Sequence, residues 1–420
     1  MSASIVFKQV LDILDQHLDN RVDESSRERI ALLVLGIIRS KSASPSRIAE
    51  AIEELGLTNA SAESIERRVR RIENDPEISA ITCFHPFARA RLAWGRPREL
   101  LIILDPTTQD DRVVMVEASV WYRARALPLA WVVWPANQPL QGDRFWKRID
   151  ALLSVVENLL PKGTPVTWLA DRAFGTPAFI DLIVARGWDY IVRVQDQTLC
   201  KDTKGISCCV SELVKRSGQR AKMRGKVFKK YGWRDASVVV FWGRRYEGPL
   251  CLVSNLPPKW SLIYTYRRRY PIEATFRNYK SYGWHWEQGQ VTDIQHVERL
   301  LVGMALATWV VLFAGTQVAT EQIAKSPTGK RRTVPWIGKR SLFHLGLQRM
   351  CCLLNGSCHI SLQWEFTDWD APNWQQQIYF HHAHAFVALS RKRSLKRTME
   401  GGGVFGCRGE LFDNRRSKKE

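Results

Sequence analysis

The sequence predicts an α/β chain in which an all-α N-terminal region precedes a mixed sheet, and three observations carry that expectation. The first ninety residues show helical periodicity punctuated by capping residues. From Glu99 the pattern changes to short apolar runs rich in β-branched and aromatic residues. After Arg144, helix-like and strand-like stretches alternate.

In the N-terminal region, Ile30 to Ile38 is apolar and compact. Ser44 followed by Pro45 reads as a helix cap with proline at the first helical position, opening a helix over Arg47 to Glu54, and Gly56 then marks a turn. Ser61 can cap the next helix, Ala62 to Asn74, where Ile65, Val69 and Ile72 hold one face. Arg67, Arg68, Arg70 and Arg71 fall largely outside that face. The pattern fits a helix-turn-helix with a basic second helix, which makes Arg67 and Arg68 candidate DNA contacts. It fits a plain helical hairpin with a solvated charged face equally well.

Leu100 to Leu104 is an apolar run ending at Asp105, and Val113 to Tyr122 and Leu127 to Trp134 read as two further strands around the polar break Arg123, Ala124, Arg125. Pro128 falls near the start of the third run, where a missing ladder donor is tolerated. A helix over Arg144 to Leu160, a strand Val166 to Ala170, a helix Pro177 to Arg186 and a strand Tyr190 to Val194 follow. A meander of three strands followed by alternating helix and strand is the order of a ribonuclease H-like sheet. Gln195 to Trp260 breaks the alternation: it is basic and turn-rich, with strands expected at Ala236 to Trp242 and Leu250 to Ser254, and it reads as a β-rich insertion outside the central sheet. Tyr264 to Trp284 is helical, strongly so after Pro271. The expected domains are therefore 1–95, helical and DNA-binding; 96–194 and 261–324, the two parts of the core; 195–260, the insertion; and 325–420, a connector and C-terminal region with a basic tail.

Length and composition agree. The chain has 420 residues, 45% hydrophobic, enough for two or three folded domains rather than a disordered polymer. Its 62 Lys and Arg against 42 Asp and Glu give +20, which favours a polyanionic partner. Residues 1–95 carry 13 basic and 14 acidic side chains, whereas 195–260 carry 14 and 5, so the positive field lies mid-chain. The C-terminal cations, Arg391 to Arg397 and Arg415 to Lys419, suit either a solvated end or a DNA arm. The opening MSASIVFKQV lacks the order of a secretory signal, so a cytoplasmic location is expected. Nine cysteines without paired C-x-x-C spacing argue against a disulfide framework or a zinc site, and His381, His382 and His384 are read as surface. The apolar run Leu300 to Ala314 is shorter than the ~20 residues of a bilayer span and reads as a core helix, so no membrane is expected.

Asp105 and Asp171 each stand directly after an apolar, strand-like run. Neighbouring strand ends can bring such a pair together, and two close carboxylates either share a proton or hold a cation. In TYRRRYPIEATFRNYKSYGWHWE, Glu273, Arg277 and Lys280 stand at i, i+4 and i+7, one stripe of a regular helix, with Ile272, Phe276 and Tyr279 on the adjoining apolar side.

Tyr266, Arg269, Glu273 and Lys280 match Y-x2-R-x3-E-x6-K at every position. This resembles the signature of a large group of DDE transposases of bacterial insertion sequences. Asp105 in LDPT and Asp171 in DRAF match that family's two aspartate motifs, except that Ala173 stands where glycine is common. The resemblance runs from Asp105 to Lys280 and more loosely to Arg340–Leu347. It implies catalytic and metal-binding Asp105, Asp171 and Glu273, with two Mg2+ ions that Mn2+ can replace. Asp105 would bridge the ions and each of the other two would complete one. Tyr266, Arg269 and Lys280 would hold the DNA backbone, with Arg277 beside them. Lys222, Arg224, Lys226, Lys229 and Lys230 suit a phosphate track, and Trp233 and Trp242 suit either base stacking or packing. The implied partners are double-stranded DNA, as element ends and target, and a second copy in a synaptic dimer. A non-catalytic regulator derived from a transposase and a ribonuclease H-like structure-specific nuclease are the alternative functions.

Overall fold

The computed structural model describes residues 3–95, 97–244, 246–324, 341–358 and 361–364. All fall within one unit, Met1–Gln375. The connector 325–340, the histidine run at 381–384 and the basic tail lie outside the described residues.

Five helices open the chain: α1 (Ala3–Asp15), α2 (Glu24–Ser40), α3 (Pro45–Glu54), α4 (Ala62–Asn74) and, after a π turn at Ala80–Phe84, α5 (His85–Gly95). Pro45 stands at the first turn of α3 as expected, although Ser44 makes no side-chain cap bond; the Ser61 hydroxyl does cap α4, accepting from the Ser64 amide. Ile65, Val69 and Ile72 are buried, and Arg67, Arg68, Arg70 and Arg71 are exposed.

The sheet comprises β1 (Leu100–Gln109), β2 (Val113–Tyr122), β3 (Arg125–Pro135), β4 (Val166–Ala170), β5 (Asp189–Arg193), β6 (Leu199–Asp202), β7 (Ser207–Cys209), β8 (Arg220–Val227), β9 (Arg234–Phe241) and β10 (Leu250–Ser254). Helix α6 (Asp143–Leu159) joins β3 to β4, and α7 (Pro177–Ala185) joins β4 to β5. The strand order is β3-β2-β1-β4-β5-β10-β9-β8-β6-β7. β1, β2 and β3 pair antiparallel, while β4 pairs parallel with both β1 and β5. The two-residue turn between β2 and β3, Arg123 and Ala124, has φ of 44 and 61°, the left-handed pair that matches strand twist in a tight hairpin. Pro128 sits beside a register shift at Ala118/Ser119, where the ladder is already broken.

The stretch after β5 is β-rich as expected but does not form a body outside the central sheet. β10 adds antiparallel to the free edge of β5, and β9, β8, β6 and β7 continue from it, giving one ten-stranded sheet. The reason is local: β5 would otherwise be an unpaired edge, and strands expose such edges at a cost.

Beyond the sheet come α8 (Ser261–Arg267), α9 (Pro271–Arg277), a π turn at Asn278–Tyr282, α10 (Ile294–Ala324) and α11 (Leu342–Leu354). α10 is twice as long as its central apolar run. Ile294–Glu321 is long and apolar enough to cross a membrane by length and composition, yet its most apolar window is almost wholly buried against α2, α4, α11 and β3, as a core helix should be. Glycine makes its contact with α11 possible: a Cβ at Gly346 would strike the Val311 carbonyl.

This helical layer also buries a carboxyl. Glu73 on α4 is 4% exposed and its Oε1 has no hydrogen-bond partner; burial pushes its carboxyl up to about 7, with Glu66 adding to the rise and Arg70 opposing it. A folded-state value above the unfolded one means that native protein holds this proton longer, so the stability it costs appears as pH rises from about 4.5 through 7. Glu73→Met is therefore expected to raise the unfolding free energy, read by urea denaturation at pH 8, by on the order of 1–3 kcal/mol, and to help much less at pH 4. An equal gain at both values would show that the charge is not what costs.

Candidate active site

β1 and β4 run parallel in register from Leu100 opposite Val166 to Leu104 opposite Ala170, so Asp105 and Asp171 are the next residues at the same level on adjacent strands. Asp105 does not stand after its strand. β1 continues to Gln109 because β2 stays paired with it, and Asp105 marks the point where β4 leaves the ladder. Asp171 begins a turn in which its Oδ1 accepts from the Ala173 amide at 2.8 Å. Gly175 closes that turn against the Arg193 carbonyl, which a Cβ would strike.

The third carboxylate arrives on a broken helix rather than a continuous one. α8 ends at Arg267, Arg268 to Tyr270 form a turn, and Pro271 restarts the chain as α9 at the position where its missing N–H is harmless. Arg269 lies in that turn, 8% exposed, with Nη1 2.9 Å from Asp105 Oδ2 and Nη2 donating to Glu273 Oε1 at 3.0 Å. A single guanidinium thus joins two of the three acids. Burial pushes the Asp105 carboxyl up to about 7; Arg269 pulls it back, and the charges of Asp171 and Glu273 push it further up. Asp105, Asp171 and Glu273 therefore share one electrostatic neighbourhood.

Among the expected DNA contacts, Tyr266 is 1% exposed and Arg269 is turned inward onto the carboxylates, so both lie within the site rather than on an outer surface. Arg277 keeps its place one turn after Glu273 in α9, whereas Lys280 leaves the stripe that a regular helix would give it, because α9 passes into the π turn after Arg277. Lys280 pairs with Glu287 at 3.5 Å, and Arg277 lies over the Tyr282 ring at 5.8 Å. Arg67 and Arg68 lie on α4, with Arg67 paired to Glu63. Lys229 and Lys230 are exposed in a short 3-10 turn.

The basic row itself is better ordered than the sequence suggested. Arg220, Lys222, Arg224 and Lys226 alternate along β8 and are all exposed on one face. Arg220 and Lys222 stack over Trp260 at 4.6 and 5.4 Å. Trp233 carries Lys201 over its ring, and the Trp242 indole donates to the Tyr246 carbonyl, so both are engaged within the protein.

Residues 147–310 match the transposase DDE domain family. The matched DDE segment includes Asp171, Arg269, Glu273 and Lys280, and it begins after Asp105. No curated protein matches the chain. Among solved structures the chain is similar to a piggyBac transposase synaptic complex with hairpin DNA, determined by cryo-EM, at 9% identity and a TM-score of 0.42, over 85% of this chain and 80% of that one.

Carboxylate oxygens are the donors that a hard divalent cation takes. Two carboxylates, Asp105 and Glu273, meet one guanidinium, and Asp171 stands level with Asp105 on the adjacent strand, its charge adding to the rise of the Asp105 carboxyl. Among the described residues no three acidic, histidine or cysteine side chains are gathered closely enough to hold a metal ion. Arg269, between Asp105 and Glu273, is the counter-charge in this arrangement.

Proposed function

We propose that this chain is a DDE transposase that binds the terminal inverted repeats of an insertion sequence, cuts there and joins the ends to target DNA. The observation that carries this reading is the bridging of Asp105 and Glu273 by Arg269, with Asp171 level with Asp105 on the adjacent strand and two of the three acids inside the segment that matches the DDE family. The strand order β3-β2-β1-β4-β5 with its parallel crossovers supports a ribonuclease H-like core for that site.

Asp105, Asp171 and Glu273 would hold magnesium, which when bound supplies an activated nucleophile and stabilises the departing 3′ oxygen. The protein's own part is to hold Asp105 and Glu273 near each other despite their like charge. Arg269 does this by bridging Asp105 and Glu273, and its fixed positive charge lies where a scissile phosphate would meet the same carboxylates. Tyr266 is buried one turn before it, and its carbonyl accepts from the Arg269 amide at 2.9 Å. Lys280, Arg277 and the β8 row, with Lys229 and Lys230, supply cations for the flanking backbone. The exposed arginines of α4, Arg67 and Arg68 among them, are suited to the repeats. Two ends must be joined, so the working form is a synaptic homodimer.

The test uses purified protein, magnesium or manganese, and DNA carrying the inverted repeats that flank the reading frame. Cleavage at the repeat ends, followed by joining of pre-cut ends to a second DNA, is the expected result. Cutting that ignores the repeats and never joins ends would make the protein a structure-specific nuclease. Binding without cutting would make it a regulator.

A further inference from the structure

Glu117 is a lone acid in an apolar strand, VVMVEASVWY, and is 1% exposed. It stands directly opposite Asp105 in the β1–β2 ladder, which puts both side chains on one face of the sheet. Ser119 and Tyr279 both donate to its carboxylate. Tyr279 is itself buried, is hydrogen-bonded to Thr308 of α10, and belongs to the π turn that continues α9. Thr308 in turn accepts from the Trp284 indole at 3.0 Å, and the Gly283 and Trp284 amides both donate back to the Asn278 carbonyl. A chain of polar side chains thus runs from β2, at the level of Asp105, through the π turn to α10.

Burying a carboxyl on the face of β2 that also carries the buried Val113 and Met115 is costly compared with another valine or leucine, so packing alone gives no reason for an acid here. What an apolar residue could not do is fix a tyrosine hydroxyl at one height along β2. The first turn of α9 carries Glu273, and α9 is otherwise tied to the sheet by Thr275, which donates to the Ala126 carbonyl at 3.0 Å. A helix of seven residues between a turn and a π turn has little rigidity of its own.

We infer that Glu117 is a positioning residue: by accepting from Tyr279 it fixes where α9 lies against β1 and β3, and so holds Glu273 at the level of Asp105. The inference rests on the transposase reading for its kinetic consequence and on geometry alone for its structural one. A displacement of about 1 Å at a reacting centre costs up to about a hundredfold in rate.

Three single variants and a double separate the possibilities. Glu117→Leu and Tyr279→Phe each remove the link, whereas Glu117→Gln keeps an acceptor for the phenol. On end-bearing DNA with magnesium, the first two are expected to lower the cleavage rate by about ten- to a hundredfold with unchanged DNA affinity, and Glu117→Gln to stay within about threefold of wild type. The double Glu117→Leu/Tyr279→Phe should be no worse than either single change, since both break the same contact. Amide hydrogen exchange on the full chain is read alongside. Residues 271–284 should exchange at least about tenfold faster in Glu117→Leu and Tyr279→Phe but not in Glu117→Gln, with β1, β4 and β5 unchanged. Wild-type protection of 271–284 in Tyr279→Phe, or additive losses in the double variant, would overturn the inference. Should Glu117→Leu lose its fold, Tyr279→Phe decides alone. Should wild-type protein fail to cut, the transposase reading falls and hydrogen exchange still decides whether Glu117 holds α9.

Discussion

An Asp171→Asn protein is expected to bind DNA bearing the element ends and to fail to cut it, with the single-turnover cleavage rate falling by about a thousandfold or more. Asp171 is the best of the three acids for this test because its fold contribution survives the change. The bond it makes is through Oδ1 to the Ala173 amide, and the asparagine carbonyl can accept in the same place. What asparagine cannot do is supply the anionic oxygen that a hard cation takes as ligand. DNA affinity should hold or tighten slightly, since a negative charge leaves a site that meets phosphate. Asp105→Asn and Glu273→Gln should lose cleavage to a similar degree, and the triple variant should be no slower than the worst single one, because the three act as a unit. Measured against binding by electrophoretic mobility, a triple variant that still cuts at the wild-type rate would remove these residues from the chemistry.

How legible the site was depends on which physical rule governed each residue. Leu100 to Leu104 is an uninterrupted apolar run and Val166 to Ala170 is broken only by Thr167, the mark of strands buried on both faces, and such runs fix which residue comes next at the sheet edge. Hence Asp105 and Asp171 could be paired from the sequence, even though β1 in fact runs on past Asp105, held by β2. β8 went unrecognised because RAKMRGKV alternates cations with small or flexible residues, a pattern that carries no hydrophobic signal and acquires its strand only from pairing with β9 and β6. The stripe of Glu273, Arg277 and Lys280 assumed 100 degrees per residue, and the π turn after Arg277 violates it. Glu117 did leave a trace, as the single charge in an otherwise apolar strand, but its partner Tyr279 lies far off in the chain and no periodicity connects the two. Spacing likewise reveals that Arg269 accompanies Glu273 by one helical turn; that it faces inward to Asp105 is a property of the fold.

That inward arginine leads to the largest stability effect expected of any single side chain in the site. Arg269→Met keeps most of the buried stem and removes the charge, leaving Asp105 and Glu273 facing Asp171 with no counter-ion. Breaking a buried pair by removing one partner costs about 3–5 kcal/mol, so the urea midpoint at pH 8 in chelator should fall steeply. The loss should shrink on acidification. Burial already holds Asp105 near 7, and without Arg269 its carboxyl must rise further; below that value it takes up a proton and the repulsion disappears. Arg269→Lys, a point charge that cannot span both acids, should fall between the two. Magnesium provides the decisive arm. A cation that binds native protein at these carboxylates stabilises it by mass action, and it should restore more stability to Arg269→Met than to wild type, where the guanidinium already neutralises two of its ligands. If magnesium stabilises both proteins equally, or neither, the carboxylates that Arg269 bridges are not the ones that receive the metal, and the arginine is a structural clasp rather than the resident counter-charge of a catalytic site.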